Sequence, residues 1–216
     1  MALRETNLDK LDGGSFDILI VGGGINGAVS AAALSARGAS VALIDRGDFA
    51  GFTSQESSNL VWGGIKYLEN YEFPLVRKLC MSRNRLMRAY PANVKEIGFL
   101  GVLGETAPFP PWVVGVGAFA YWGIGNFKTN APRPMSPETV ERIEPIINTV
   151  GTVGGIEYAD AYLKDNDARF VFSFIRSAMD VGAVAANYVE LENAERVKGN
   201  WHAQLRDCES GMPINL

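Results

Sequence analysis

A run of glycines set between an apolar segment and a helix-forming one constrains this chain more than any other feature. Phe16-Asp17-Ile18-Leu19-Ile20-Val21 is short and apolar, as a buried parallel strand is. Gly22-Gly23-Gly24-Ile25-Asn26-Gly27 follows at once with the spacing G-x-G-x-x-G. Residues Ile25 to Arg37 are small and helix-forming, and Gly38 stands where a helix would end. Ser40 to Ile44 reads as a second strand, closed by Asp45. The order strand, glycine turn, helix, strand is one βαβ unit, so the expected fold class is α/β. In that unit Gly22 permits the tight turn and Gly24 lets the backbone approach a pyrophosphate. Gly27 lets the helix pack closely on the strand, while the helix N-terminus offers amide donors and partial positive charge. Asp45, about 20 residues further on, is placed to accept hydrogen bonds from ribose hydroxyls. A dinucleotide uses all of these parts. A glycine turn in an unrelated α/β protein would explain the glycines and leave Asp45 unexplained. Ile25 and Asn26, inside the motif, and Arg46, beside the acid, join the candidate cofactor-binding residues.

With 216 residues, 47% of them apolar, the chain can build one sizeable core or two lobes. Its formal net charge of -4 argues against a nucleic-acid partner, which requires a basic field. Cys80 and Cys208 lie far apart without metal-ligand spacing, and His202 is the single histidine, so no metal site is expected. His202 falls in a strand-like run beside Trp201 and Gln204, where a surface or packing role fits best. The opening MALRETNLDKLDGGS has no apolar h-region and no cleavage signal, which points to the cytoplasm.

Residues 1–14 read as a loose polar leader. Leu75 to Tyr90 reads as a helix with Arg77, Lys78, Arg83, Arg85 and Arg88 on its solvent side. Residues 107–127 carry no charge, but Pro108, Pro110 and Pro111 break the start of the stretch and four glycines interrupt the rest. They read as a helix of about three turns beginning near Pro111 or Trp112. Burial against the fold is the favoured reading, contact with a membrane interface the alternative, and a full span the least favoured. Ser136-Pro137-Glu138 is a helix start, with a cap, a proline at the first position and an acid in the first turn. Asp165 or Asn166 would cap a helix that runs to about Val181. Ala183 to Val197 and Trp201 to Arg206 read as strands joined at Lys198-Gly199-Asn200.

The βαβ unit does not choose between cofactors. That choice rests on Phe52-Thr53-Ser54-Gln55-Glu56-Ser57-Ser58-Asn59-Leu60-Val61-Trp62-Gly63-Gly64-Ile65-Lys66-Tyr67-Leu68-Glu69. Its hydroxyls and glycine amides suit an extended stretch beside phosphates and a flat ring, although a plain Ser-rich loop has the same composition. The stretch resembles the segment after the second strand in FAD-dependent glycerol-3-phosphate dehydrogenases and oxidases, of the D-amino-acid-oxidase-like flavoprotein superfamily. Thr53, Ser54, Ser57, Ser58, Leu60, Gly63, Gly64, Tyr67, Leu68 and Glu69 match that family's pattern, and the match continues through Tyr71 to Val76. Glu157-Tyr158-Ala159-Asp160, Asp167-Ala168-Arg169 and Asn187-Tyr188-Val189 resemble later segments of the same family. Three positions depart from it: Trp62 replaces a histidine, Asn59 a lysine and Lys66 an arginine. Lysine keeps the positive charge but loses the bidentate fork suited to phosphate.

The resemblance implies a Rossmann-like FAD-binding domain with a helical insertion and part of a substrate domain. The expected division is a leader over 1–14, the βαβ unit and flavin segment over 15–72, a mainly helical insertion over 73–154, and a return to the FAD domain, incomplete at its end, over 155–216. The implied cofactor is FAD. Gly22, Gly24, Gly27 and Asp45 would hold its ADP half, and Thr53, Ser54, Ser58, Leu60, Gly63 and Gly64 would line its pyrophosphate and flavin half. Val189 would stand on the strand that returns to it. Lys66 and Tyr67 are the substrate-side candidates, and no general base is identified. The implied reaction is hydride transfer from sn-glycerol 3-phosphate to flavin N5, giving dihydroxyacetone phosphate, with quinone or oxygen as the electron acceptor. Alternatives are an FAD oxidase or dehydrogenase acting on an amine, amino acid or other hydroxy acid, a cofactor-binding module without turnover, and an NAD-binding dehydrogenase. The chain is shorter than members of that family and stops within what reads as a hairpin, so a fragment is expected. Cytoplasmic residence, with peripheral attachment at the inner face of the membrane as the alternative, completes the expectation.

Overall fold

A computed structural model describes residues 3–216. In chain order the elements are α1 (Leu3–Leu11), β1 (Ile18–Val21), α2 (Ile25–Ser35), β2 (Val41–Ile44), β3 (Leu60–Val61), a 3-10 turn (Ile65–Asn70), α3 (Phe73–Ala89), β4 (Val94–Gly104), α4 (Pro111–Ile124), β5 (Arg133–Met135), α5 (Pro137–Ile143), β6 (Thr152–Leu163), α6 (Asp167–Asp180), β7 (Val184–Ala186), β8 (Val189–Val197), β9 (Asn200–Asp207) and β10 (Pro213–Asn215). They divide into two compact units, Met1–Ser58 with Asp165–Leu216, and Asn59–Lys164.

The first unit is built on a parallel sheet in the order β1-β2-β7. β2 lies in its centre and all four of its residues are buried, which is why Val41-Ala42-Leu43-Ile44 reads as an unbroken apolar run. Strand periodicity sends Val41 and Leu43 to one face, where they meet Ala28 and Ala31 of α2 and Val171, Ile175 and Ala178 of α6. Ala42 and Ile44 face the other way, toward Leu11, Val189, Ala203, Leu205 and Ile214. The small residues of α2 let it lie close to the sheet. β8 and β9 form a hairpin whose two-residue loop, Lys198-Gly199, has both φ values positive, as the right-handed strand twist requires.

The second unit centres on the long antiparallel pair β4–β6, with β3 and β5 on the other edge of β6. Helices α3 and α4 close over it with Val76, Cys80 and Tyr121 as a buried cluster.

Four expectations are corrected. The leader is a helix: Leu11 is fully buried, and the Asn7 side chain donates to Ala185 O at 2.8 Å. A polar sequence conceals such a helix, because a few long-range contacts hold it rather than an apolar stripe. Residues 73–154 contain three helices but also the eleven-residue β4 and the short β5. Glycines at 98, 101 and 104 mask the β pattern of β4; a side chain at Gly98 would approach Glu157 to 3.1 Å. The Ala183–Val197 run is broken into β7 and β8 by Asn187-Tyr188, where Tyr188 takes φ of 53°. Finally, Arg83 is buried rather than on the solvent side of α3.

The uncharged stretch forms α4 from Pro111, as expected, and extends to Ile124. Gly115, Ala118 and Tyr121 are buried, whereas Trp112, Val116 and Phe119 are exposed, so one face packs and the other is open. Among the described residues no helix is long and apolar enough to cross a membrane.

Candidate functional site

In the first unit the glycine motif joins β1 to α2. Gly22 has φ of 109°, a turn that a side chain would strain, and Gly24 is the extended N-cap of α2. A Cβ on Gly27 would lie 1.9 Å from Gly22 O, so only glycine permits this approach of helix to strand. A Cβ on Gly24 would meet nothing nearer than Ser54 Oγ at 3.9 Å. The Gly24 position is therefore open, and the motif contains one glycine demanded by packing and one that leaves free space.

That space belongs to a cavity of about 800 Å³ lined by Gly22, Gly24, Ile25, Asn26, Gly27, Asp45, Thr53 and Ser54 among others, a volume suited to a cofactor. Asp45, largely buried, accepts from Gly23 N at 2.7 Å and from Gly47 N at 2.9 Å. An ionised carboxylate has about four lone-pair sites, so acceptor capacity remains for hydroxyls. Ser57 and the first turn of α6, with Asp167, Phe170 and Val171, supply further wall. Burial pushes the Asp167 carboxyl up from its ordinary value.

The other expected residues lie elsewhere. Arg46 is exposed, its guanidinium 5.7 Å from the Phe52 ring centre. Ser58 is exposed and Val189 is fully packed, its N–H donating to Asp45 O at 2.8 Å. A larger cavity of about 1280 Å³, between β1 and the β8–β9 hairpin, holds His202 but none of the candidate cofactor-binding residues.

Leu60, Gly63, Gly64, Lys66 and Tyr67 belong to the second unit. Leu60 is in β3, and Gly64, with φ of 83°, caps the 3-10 turn that carries Lys66 and Tyr67. Lys66 is exposed, and Tyr67 packs against Trp62 with ring centres 5.6 Å apart. Gly63 is held by a buried network. Its N–H donates to both Asp160 oxygens at 3.1 Å, and its carbonyl receives the Cys80 thiol at 3.5 Å. Asp160 also accepts from Arg83 Nη1 at 2.9 Å and from Tyr121 Oη at 2.8 Å. Arg83 in turn donates to Asn84, whose amide reaches Gly125 O at 2.7 Å. A Cβ on Gly63 would come within 2.0 Å of Tyr121 Oη. Burial, and after it the Asp160 charge, push the Tyr121 phenol well above its ordinary value, so it stays a donor.

Sequence reasoning missed Arg83 and Tyr121 as parts of this segment's support. One signal was present: Val76, Cys80 and Arg83 stand at i, i+4 and i+7, one face of α3. Among the described residues no cluster suits a metal ion.

Residues 17–211 match the family model described as FAD dependent oxidoreductase. The chain belongs to that family. It is 35% identical over 199 residues to a glycerol-3-phosphate dehydrogenase of Pseudomonas aeruginosa, covering 91% of this chain and 37% of that protein. It is 33% identical to a D-erythritol 1-phosphate dehydrogenase of Brucella abortus, covering 90% of this chain and 38% of the relative. The fold matches that of a glycerol-3-phosphate dehydrogenase from Bacillus halodurans, solved with FAD, at a TM-score of 0.69 and 20% identity over 99% of this chain and 34% of that one. The chain thus spans a little over a third of the length of the curated relatives it matches.

FAD is the cofactor of this family, and the first unit fits its ADP half. The open Gly24 backbone, the α2 N-terminus and the spare acceptor capacity of Asp45 converge on one cavity, whose wall carries no lysine or arginine. The pyrophosphate charge would be met there by backbone amides and the helix dipole.

Proposed function

We propose that the protein oxidises a polyol phosphate, with sn-glycerol 3-phosphate as the first candidate. The observation that carries this reading is the 33–35% identity to two dehydrogenases whose named substrates are both polyol monophosphates. In the proposed site Gly22, Gly24, Ile25, Asn26, Gly27 and Asp45 hold the ADP half of FAD, with Arg46 at its edge and Val189 packed behind Asp45. Thr53, Ser54, Ser58, Leu60, Gly63 and Gly64 flank the pyrophosphate and flavin. Bound FAD would supply the two-electron oxidation of the glycerol 3-phosphate carbinol to the ketone of dihydroxyacetone phosphate, by accepting the hydride while the hydroxyl proton leaves to solvent.

The chain's own part is positioning. Lys66 offers an exposed ammonium for the substrate phosphate and Tyr67 a hydroxyl beside it, both on the turn that follows the fixed Gly63-Gly64. A lysine here binds phosphate as a point charge. That tolerance suits D-erythritol 1-phosphate as a second substrate, the reading favoured by the Brucella relative. Electrons would pass onward to quinone or oxygen. The exposed Trp112, Val116 and Phe119 on α4 support peripheral contact of a cytoplasmic protein with the inner membrane face.

The test is an absorbance spectrum of the full-length protein, recorded before and after anaerobic addition of each phosphate. Bleaching of the flavin bands by glycerol 3-phosphate is expected. Bleaching by erythritol 1-phosphate alone would move the assignment within the class. Persistence with both, and bleaching by an amino acid or amine, would overturn it.

A further inference from the structure

Asp45 is held from behind as well as from the cavity side. The Asn187-Tyr188 link between β7 and β8 lies across the turn that follows Asp45. Val189 N donates to Asp45 O at 2.8 Å, Tyr188 N to Gly47 O at 3.1 Å, and Asn187 Nδ2 to Asp48 Oδ1 at 3.0 Å. Tyr188 is in the left-handed region, with φ of 53°, a conformation a tyrosine keeps only when its surroundings impose it. Arg4 of α1 helps to impose it, together with Cys208 N, which donates to Tyr188 O at 2.8 Å. Arg4 Nε donates to Asn187 O at 3.1 Å and Nη2 to Tyr188 O at 3.4 Å. The same guanidinium is paired with Asp207, and with Glu209 at 2.9 Å. Burial pushes the Asp207 carboxyl up, but hydrogen bonds from Ser210, Arg4 and the amides of Glu209 and Ser210 outweigh it and hold the group at about 2. The anchor is therefore ionised at any physiological pH. α1 itself is fixed by the buried Leu11 and by Asn7 on Ala185 O.

We propose that α1 is a positioning element for the adenosine end of FAD, with Arg4 setting the Asn187-Tyr188 link and, through it, the Asp45–Gly47 turn. This rests on the placement of the ADP half at Asp45. Arg4 does not line the cavity. A planar fork suits this task, since one side chain serves two carbonyls and two carboxylates.

The experiment measures FAD dissociation from the full-length protein, tagged at its C-terminus, by recovery of flavin fluorescence at 10 °C for Arg4→Ala, Arg4→Lys and Asp45→Asn. Arg4→Ala should weaken FAD by about tenfold and ADP, used as a competitor, by a similar factor, with the visible spectrum of bound flavin unchanged. Arg4→Lys keeps the charge but not the fork and should fall between. A purely stabilising Arg4 would lower the melting temperature of the apoprotein and leave both dissociation constants at 10 °C within twofold; that result overturns the proposal. If Arg4→Ala does not fold, Arg4→Lys decides on the same criterion. If Asp45→Asn leaves FAD binding unchanged, the placement of the ADP half fails, a different outcome from failure of the clamp.

Discussion

The two units handle polar chemistry in opposite ways. In the first, the cavity around Gly24 is made of backbone, small and apolar side chains and two carboxylates, Asp45 and Asp167, and it leaves space at Gly24 and acceptor capacity at Asp45 open. In the second, the groups around Gly63 are charged and aromatic, and they leave nothing open. Arg83, Asp160, Tyr121, Asn84 and Cys80 are each at most 3% exposed, and their polar atoms bond to one another or to nearby backbone. A binding site must keep groups unsatisfied until its ligand arrives, whereas a support for a loop must satisfy all of its own. The difference fits the proposal that the first is where FAD binds, and the second fixes where the Gly63 segment stands.

The sharpest way to break that contrast is to unbalance the network. Asp160→Ala leaves the Arg83 guanidinium buried without its carboxylate, which costs about 3–5 kcal/mol. Chemical denaturation of the full-length protein should show a loss of that order. Arg83→Met combined with Asp160→Leu removes both charges and should recover much of it. Equal losses in the single and double variants would mean that the pair contributes shape rather than charge balance.

A smaller effect separates the two glycines of the motif. Gly27→Ala forces a methyl against Gly22 O, and overpacking of this kind costs about 1–3 kcal/mol, so both stability and FAD binding should fall. Gly24→Ala meets no atom closer than 3.9 Å and should leave the melting temperature of the apoprotein within about 2 °C while weakening FAD at least tenfold. If both variants lose stability alike, the cavity at Gly24 is packing space and not a ligand space.

These contrasts explain what could be read from residues alone. β1, Gly22, α2, β2 and Asp45 were legible because each residue type there answers a local demand: a turn, a close approach, a strand end. The caps at Ser136 and Asn166 are local too, accepting from Thr139 N and Arg169 N. α1 was not legible, because its hold depends on partners more than 170 residues away, Ala185 and Asn187. Arg83 was misplaced because arginine on a helix is read as solvent-seeking, although its spacing from Val76 and Cys80 put it on the buried face. Charge was the louder signal and position the correct one.

The units should also fail at opposite ends of the pH scale. Asp207 of the first unit has its folded value depressed to about 2 from an ordinary 3.8. Its contribution is present above the ordinary value and is lost as pH falls from about 4 toward 2. Tyr121 of the second unit has its folded value raised above an ordinary 10.0, so its contribution is intact below that value and is lost as pH rises beyond it. Hydrogen exchange on the full-length protein should therefore show the amides of α1 and the 187–189 link loosening first in acid, and those of α4 first in alkali. The reverse order would remove the link between these two groups and the stability of their units.

The smallest effect concerns the one ionisable group in the cavity wall besides Asp45. Asp167 lies in the first turn of α6, where the helix dipole favours a negative charge, yet burial raises its carboxyl. A pyrophosphate in the same cavity is anionic, and like charges in a partly desolvated space repel. Asp167→Asn should then tighten FAD by a few-fold, on the scale of about 1 kcal/mol or less. In the wild type, affinity should rise as pH falls through the raised Asp167 value and the group becomes neutral, and the variant should lack that rise. Weaker binding of FAD by Asp167→Asn would reverse the assignment: the carboxylate would then be an acceptor for a ribose or ribitol hydroxyl, a second acid doing from α6 what Asp45 does from β2. Either result sharpens the comparison between the units, because Asp167 stands in the wall of the cavity itself. The same substitution logic applied to Asp160 should move stability and leave the ADP dissociation constant where it was.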